Sequence, residues 1–225
     1  GLGHLSASSR GLFGSENAIL PHLETSSTPS YIGGSHGGTS GGTDGVLAPY
    51  GDLIEPTTFG TGGGTGEWRR AGGRGGGVIA IEALDALQVD GTLKASGEAV
   101  IGPAAGGGSG GSITVKTERL IGLGAIDVSG GEGGPAGNSQ GCGGGGGGGR
   151  LSMNYKTANW GGKFKAHGGN HESSCAYLAG PGTVFLDTIG TVNKTVAGVE
   201  IKAGKQDRWL IINNNGQEDT IHNGQ

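Results

Sequence analysis

The most definite chemistry in this sequence belongs to its two cysteines, Cys142 and Cys175. Thiols in an oxidising compartment pair into disulfides, whereas a zinc site needs further ligands at close spacing, and none flanks this pair. Both lie in glycine-rich stretches of consecutive repeats, 12 residues beyond Gly130 and 7 beyond Gly168. Stacking those repeats would bring them together, so a disulfide between neighbouring coils is expected, with two free thiols as the plain alternative. Asn193-Lys194-Thr195 reads as an N-glycosylation acceptor in a turn of the last repeat, although such triplets also arise by chance. Of the six histidines only His167 and His171 are close in sequence, and without a helix their spacing makes no metal face.

Acidic and basic residues gather in one long segment: Asp44, Asp52, Glu55 and Glu67 with Arg69, Arg70 and Arg74. Such a group suits a polysaccharide lyase or hydrolase, in which paired carboxylates act as acid and base. Salt bridges that tie down a glycine-rich loop are the preferred explanation, because no pair of acids is fixed by a repeated strand geometry. No catalytic residue, metal site or cofactor is expected, and the chain does not read as an enzyme. Matches to Gly-x-Gly-x-x-Gly abound and mean nothing without a following helix.

What positions these residues must be unusual, because 56 of 225 residues are glycine, hydrophobic residues make up 32% and aromatics 5%. An ordinary core of large side chains is hard to build from that composition. Collagen is excluded, since glycine keeps no strict three-residue period and there are seven prolines. A flexible linker is disfavoured by regularly placed apolar residues. A formal net charge of −4 gives no electrostatic footprint for nucleic acid or an anionic membrane. No apolar run approaches the ~18 residues of a membrane span. The start, Gly1-Leu2-Gly3, has neither an initiator Met nor a signal sequence, so the chain reads as a piece of a longer protein.

The apolar residues repeat. Gly77-Val78-Ile79-Ala80-Ile81, Gly111-Ser112-Ile113-Thr114-Val115, Gly149-Arg150-Leu151-Ser152-Met153 and Gly182-Thr183-Val184-Phe185-Leu186 share a glycine followed by alternating apolar positions. That alternation is the period of a strand with one buried face. The opening glycines recur at intervals of 34, 38 and 33 residues, within the range of solenoid repeats. A second string follows in each: GTLKASG from Gly91, GAIDVSG from Gly124, GKFKAHG from Gly162 and, with a one-residue slip, GVEIKAG from Gly198. Two short strands per repeat and no helical segment predict an all-β parallel β-helix of about four regular coils.

In that arrangement Ile79, Ile113, Leu151 and Val184 form one interior column, and Ile81, Val115, Met153 and Leu186 the next. Outward ladders are expected at Lys94, Asp127, Lys165 and Lys202, and at Glu82, Lys116, Asn154 and Asp187, as a solvated face. The glycine runs Gly106 to Gly110, Gly143 to Gly149 and Gly180-Pro181-Gly182 fall in the return of each coil. They are expected to pack as a third wall, because bare backbone permits close approach. Gly3 to Ser8 matches the second string at Gly91 to Ser96, which places an extra rung at the N-terminus. Residues 1–75 are then irregular coils with a long loop that includes Ser35-His36-Gly37-Gly38 and Tyr50 to Pro56, and 76–225 the regular stack.

The strings GGSHGGTSGG, APYGDLIEPTTFGTGGG, RGGGVIAIEA, AAGGGSGGSITV and GGGGGGGRLSMNY, in this order, resemble the glycine-rich β-helical stretches of very large secreted or surface proteins. The likeness runs from about Gly33 to about Asn215. It implies an extracellular scaffold, adhesive or filament-forming protein and supplies no catalytic residues. Self-association is the expected partnership, through open coil ends and through Tyr50, Trp68, Trp160, Tyr177 and Trp209, most of which could equally fill corners of the solenoid. A carbohydrate-binding or polysaccharide-cleaving β-helix, with glycans as partners, is the second expectation. Binding to ice or mineral ranks last, because the outward ladders are mixed in type.

Overall fold

A computed structural model of the chain describes residues 3–12, 31–42, 46–138, 141–170 and 178–188, together with the backbone of strands within 193–223. Two parallel ladders organise it. The larger joins β2 (Val78–Gln88), β4 (Ser112–Gly122), β6 (Arg150–Trp160) and β8 (Thr183–Thr188). The smaller joins β1 (His4–Ser6), β3 (Thr92–Lys94), β5 (Ala125–Asp127) and β7 (Lys163–Lys165). The chain is therefore a β-solenoid of about three turns.

The register is the one the apolar alternation predicts. Ile79, Ile113, Leu151 and Val184 face one another across successive rungs, as do Ile81, Val115, Met153 and Leu186. From the second rung onward both columns are buried, and Leu93 and Ile126 of the smaller sheet, with Val128 and Ala166 just beyond its strands, close the core. Each aliphatic side chain so removed from water contributes about 1.5–3 kcal/mol. Leu5 lies opposite Leu93, so the N-terminal string is an added rung.

The long strands turn a corner midway. In β6, Leu151, Met153 and Tyr155 are buried, Lys156 and Thr157 both face solvent, and Trp160 is buried again, so the alternation changes phase at the bend. In β2 the same corner carries an extra residue between Ala83 and Ala86, a bulge that leaves Leu84 90% exposed. Arg119 with Asp85 and Lys156 with Glu118 form ion pairs between rungs there.

The fourth repeat departs from expectation. Val199–Lys202 (β10) pairs antiparallel with Asn193–Val196 (β9), so neither Ile201 nor Lys202 joins the ladder that ends at β7. Asp207–Asn214 (β11) then pairs antiparallel with β8, and Gln217–Asn223 (β12) with β11. Parallel growth stops at β8 because the next strand arrives in the opposite direction.

The glycine-rich segments form a second core made of backbone. From Gly106 to Gly111, successive amides donate to the carbonyls of Gly64, Gly144, Glu98, Thr61, Gly147 and Ala95. Every third amide thus returns to the same neighbouring segment, the three-residue period of a polyproline II helix, whose backbone makes no internal hydrogen bonds. Gly143 to Gly149 behaves alike, with Gly143, Gly146 and Gly149 donating to Gly134, Gly131 and Val128, and Gly144 and Gly147 to Tyr31 and Gly34. Residues 31–41 and 60–76 run inside this bundle rather than forming irregular coils, so the N-terminal part and the regular stack share one interior.

Glycine is required here for room. Among the described glycines only Gly51 and Gly122 have φ in the left-handed range, at 87° and 123°. Elsewhere a Cβ would land on a neighbouring carbonyl: Gly110 on that of Val128, Gly146 on that of Gly108, Gly33 on that of Gly145. Gly146→Ala should therefore lower stability by about 1–3 kcal/mol, as overpacking does. Gly141→Ala, where a Cβ meets nothing within 4 Å, should stay within about 0.5 kcal/mol. Denaturant unfolding of the two variants beside the parent chain measures the difference.

Candidate functional site

Outward residues of the large sheet are Ser112 and Thr114 on β4 and Arg150 and Ser152 on β6, and they hold a strap formed by residues 50–60. Ser112 Oγ donates to Thr58 O at 2.7 Å, Thr114 Oγ1 to Pro56 O at 3.2 Å and Ser152 Oγ to Ile54 O. Arg150 Nε donates to Tyr50 O at 2.8 Å, and its Nη1 reaches Thr183 Oγ1. Asp52 begins a turn by accepting the amides of Ile54 and Glu55, both at 2.7 Å, and these donors hold its carboxyl below the usual range. Glu55 pairs with Lys116 at 3.0 Å, which raises the lysine above its ordinary value. Toward β2 the strap leaves an open cleft of about 390 Å³, lined by Pro56, Val78, Ala80, Glu82 and Lys116.

Beneath the strap lies His36, fully buried. Its Nδ1 is 2.9 Å from Gly110 O and its Nε2 is 2.9 Å from Thr58 Oγ1. A carbonyl only accepts, so Nδ1 carries the proton and Nε2 accepts from the threonine hydroxyl. Tyr50 covers the imidazole with ring centroids 4.9 Å apart. Desolvation, and then the Arg150 charge, lower the His36 pKa to about 4. Burial raises Tyr50 above the ordinary phenol value. A hydroxyl, an imidazole and a carbonyl in line can in other settings activate a nucleophile. Here the imidazole has no exposed surface, and its three contacts join the glycine bundle to the strap.

The sequence-derived residues are dispersed. Cys142 is buried and no free cysteine occurs among the described residues, while Cys175 lies outside them. Tyr50 and Trp160 are interior, which removes them as assembly contacts; Trp160 stacks on Phe164 with ring centroids 5.8 Å apart. Trp68 is 66% exposed. Trp209 lies in β11, in register with Leu186 and Asn223, and Tyr177 lies outside the described residues. Asn193 is the first residue of β9, opposite Lys202, and not in a turn.

The acidic and basic group is split as well. Asp52 and Glu55 belong to the strap, whereas Glu67 is buried at the far end of the bundle and accepts the Asn138 amide. Asp44 and His171 lie outside the described residues. No group of three metal-ligating side chains occurs among the described residues, and no helix there is long and apolar enough to cross a membrane. The sequence reading missed the His36 clamp, whose partners are 22 and 74 residues away. Its one local signal was a histidine set among glycines, where a large side chain has no place unless its polar atoms are engaged.

No family model, curated protein or solved structure matches the chain. Its own residues therefore carry the functional argument.

The clamp has a pH signature. Because the folded-state pKa of His36 is below its ordinary 6.5, the unfolded chain takes up the proton first, and protonation favours unfolding. The stabilisation is complete above about pH 6.5 and is lost as the pH falls toward about 4. His36→Asn keeps a donor for Gly110 and removes the titration. The stability advantage of the parent chain over this variant should shrink across that window, as followed by thermal unfolding at a series of pH values.

Proposed function

We propose that this chain is a non-catalytic structural segment of an extracellular scaffold, a rigid rod that associates through its β1/β2 end. The single observation that carries this reading is the unfinished interior at that end. Leu5, in the column of Leu93 and Ile126, is 50% exposed, and Ile81 is only partly buried, whereas Val115 and Met153 below it are closed off. β1 and β2 are the terminal strands of their sheets, so their outer amides and carbonyls are positioned to accept another strand. At the opposite end β11 and β12 cover β8 with antiparallel strands, which favours growth from one end only.

A glycine bundle fixed by backbone hydrogen bonds suits a load-bearing spacer, because it leaves few degrees of freedom along the rod. The closed His36 clamp supports the same reading over catalysis. A disulfide between Cys142 and Cys175, glycosylation at Asn193 and the resemblance to glycine-rich stretches of large surface proteins fit an oxidising, extracellular setting. If the cysteines are paired, a thiol reagent added to the denatured, unreduced protein should label neither, and reduction should make both reactive.

Association through the β1/β2 end is tested by sedimentation over a wide concentration range and by electron microscopy for assemblies of constant width. Ala80→Pro together with Leu5→Lys should shift the protein to monomer. A parent chain that stays monomeric at the highest concentration, or a variant that associates as well as the parent, overturns the proposal.

A further inference from the structure

At the end of the bundle away from the strap, residues 66–70 form a tight turn around the short 3₁₀ segment Glu67–Arg69. Trp68 and Arg69 both have positive φ, 51° and 57°, a region disfavoured for any residue with a Cβ. The turn is held from below. Glu67 N donates to Pro103 O at 3.1 Å, Gly66 N to Arg70 O at 2.8 Å, and the buried Glu67 carboxylate accepts the Asn138 amide at 2.9 Å. The fixed backbone directs the indole outward, 66% exposed, between a buried anchor and two exposed arginines.

Neither Arg69 nor Arg70 has an ion pair among the described residues, although Arg119 and Lys116 each find a carboxylate. The loop 98–103 lies against the turn, because a Cβ on Gly102 would stand 3.2 Å from Arg70 Cβ. Arg70, Val100, Ile101 and Pro103 line an open cleft of about 430 Å³ between them. Glu98 borders it with one carboxylate oxygen engaged by the Arg74 amide.

From this arrangement we infer a binding site for an anionic polysaccharide, in which a sugar ring stacks on Trp68 while Arg69 and Arg70 take carboxylate or sulfate groups. The chemistry has three parts. An indole face attracts the polarised C–H groups of a sugar ring. A guanidinium presents a planar fork that matches carboxylate and sulfate oxygens. The apolar surface, one indole and Ile101, falls far short of the roughly 1,000 Å² a specific protein interface needs. A polysaccharide needs no such area, since neighbouring sugar units of one chain can engage the ring and both guanidiniums together, and associated copies of the rod would add avidity. Charge density separates the candidates among polyanions. Single-stranded nucleic acid has a charge on every residue and is held by a basic groove with serial aromatics, whereas two guanidiniums beside one ring suit a polymer whose charges are spaced.

The test titrates the whole chain with hyaluronate, chondroitin sulfate, neutral dextran, poly-glutamate and oligo(dT), read by calorimetry and tryptophan fluorescence. Hyaluronate, chondroitin sulfate or both should bind, and more weakly as salt rises. Trp68→Asn and the double variant Arg69→Gln/Arg70→Gln should each weaken that binding by about tenfold or more. Lys163→Gln/Lys165→Gln, on the outer face of the small sheet, should not. Asparagine tolerates the left-handed region, so Trp68→Asn should unfold at or above the parent temperature, which separates lost binding from lost fold. Failure of both charged polysaccharides to bind, binding insensitive to the Trp68 and arginine variants, or equal affinity for dextran, poly-glutamate or oligo(dT) would overturn the assignment.

Discussion

A buried amide must find a carbonyl, and in this protein that requirement governs the glycine-rich part of the interior. Where a strand ladder exists, the partner is the equivalent residue one coil away. Where glycine dominates, amides leave each segment in three directions and reach segments running both with and against it, as Gly106 to Gly111 do. Such a network closes only if the backbones approach until a Cβ would collide with an oxygen. Composition and architecture are therefore one constraint: the glycine content is what a backbone-filled core demands.

The two cores meet along the start of each long strand. Gly76 and Gly110 belong to the bundle, and Ile79 and Ile113 a few residues later belong to the side-chain column. The join is tightened by hydroxyls small enough to stand among glycines. Ser109 Oγ donates to the carbonyls of Ser35 and Thr61, and Thr61 Oγ1 both accepts the Ser35 amide and donates to its carbonyl. The imidazole of His36 is fully buried among these segments, and its two nitrogens are both engaged. Polar groups inside a low-dielectric interior are costly unless satisfied, and these are satisfied by the bundle together with Thr58 of the strap.

The strand ladders were legible because a period of two with one buried face specifies register. Ile79, Ile113, Leu151 and Val184 could be aligned from spacing alone, and so could the extra rung at Leu5. The bundle was legible only as a wall. Glycine has no side chain from which to read a direction, so the sequence does not say which run neighbours which. The last repeat misled for a related reason: GVEIKAG has the right alternation, but alternation is silent on strand direction, and β10 turned back on β9. The strap and clamp lay beyond reach because Arg150 meets Tyr50, and Ser152 meets Ile54, about a hundred residues away in sequence. The exposed arginines and Trp68 were visible as residues, but their shared turn depends on Pro103 and Asn138 from two later segments.

The same long-range pairing bears on how the chain reaches this state. Gly144 bonds Tyr31, and Gly147 bonds Gly34, across separations of more than a hundred residues, so the entropy of closing those loops is spent before these contacts form. Glycine makes that search worse, being the residue with the most freedom to lose. The strand pairings join consecutive coils, and the bundle contacts between distant segments are the ones that must wait for the whole chain. A chain built in this way resists piecemeal opening, since releasing one segment strands the amides of its neighbours.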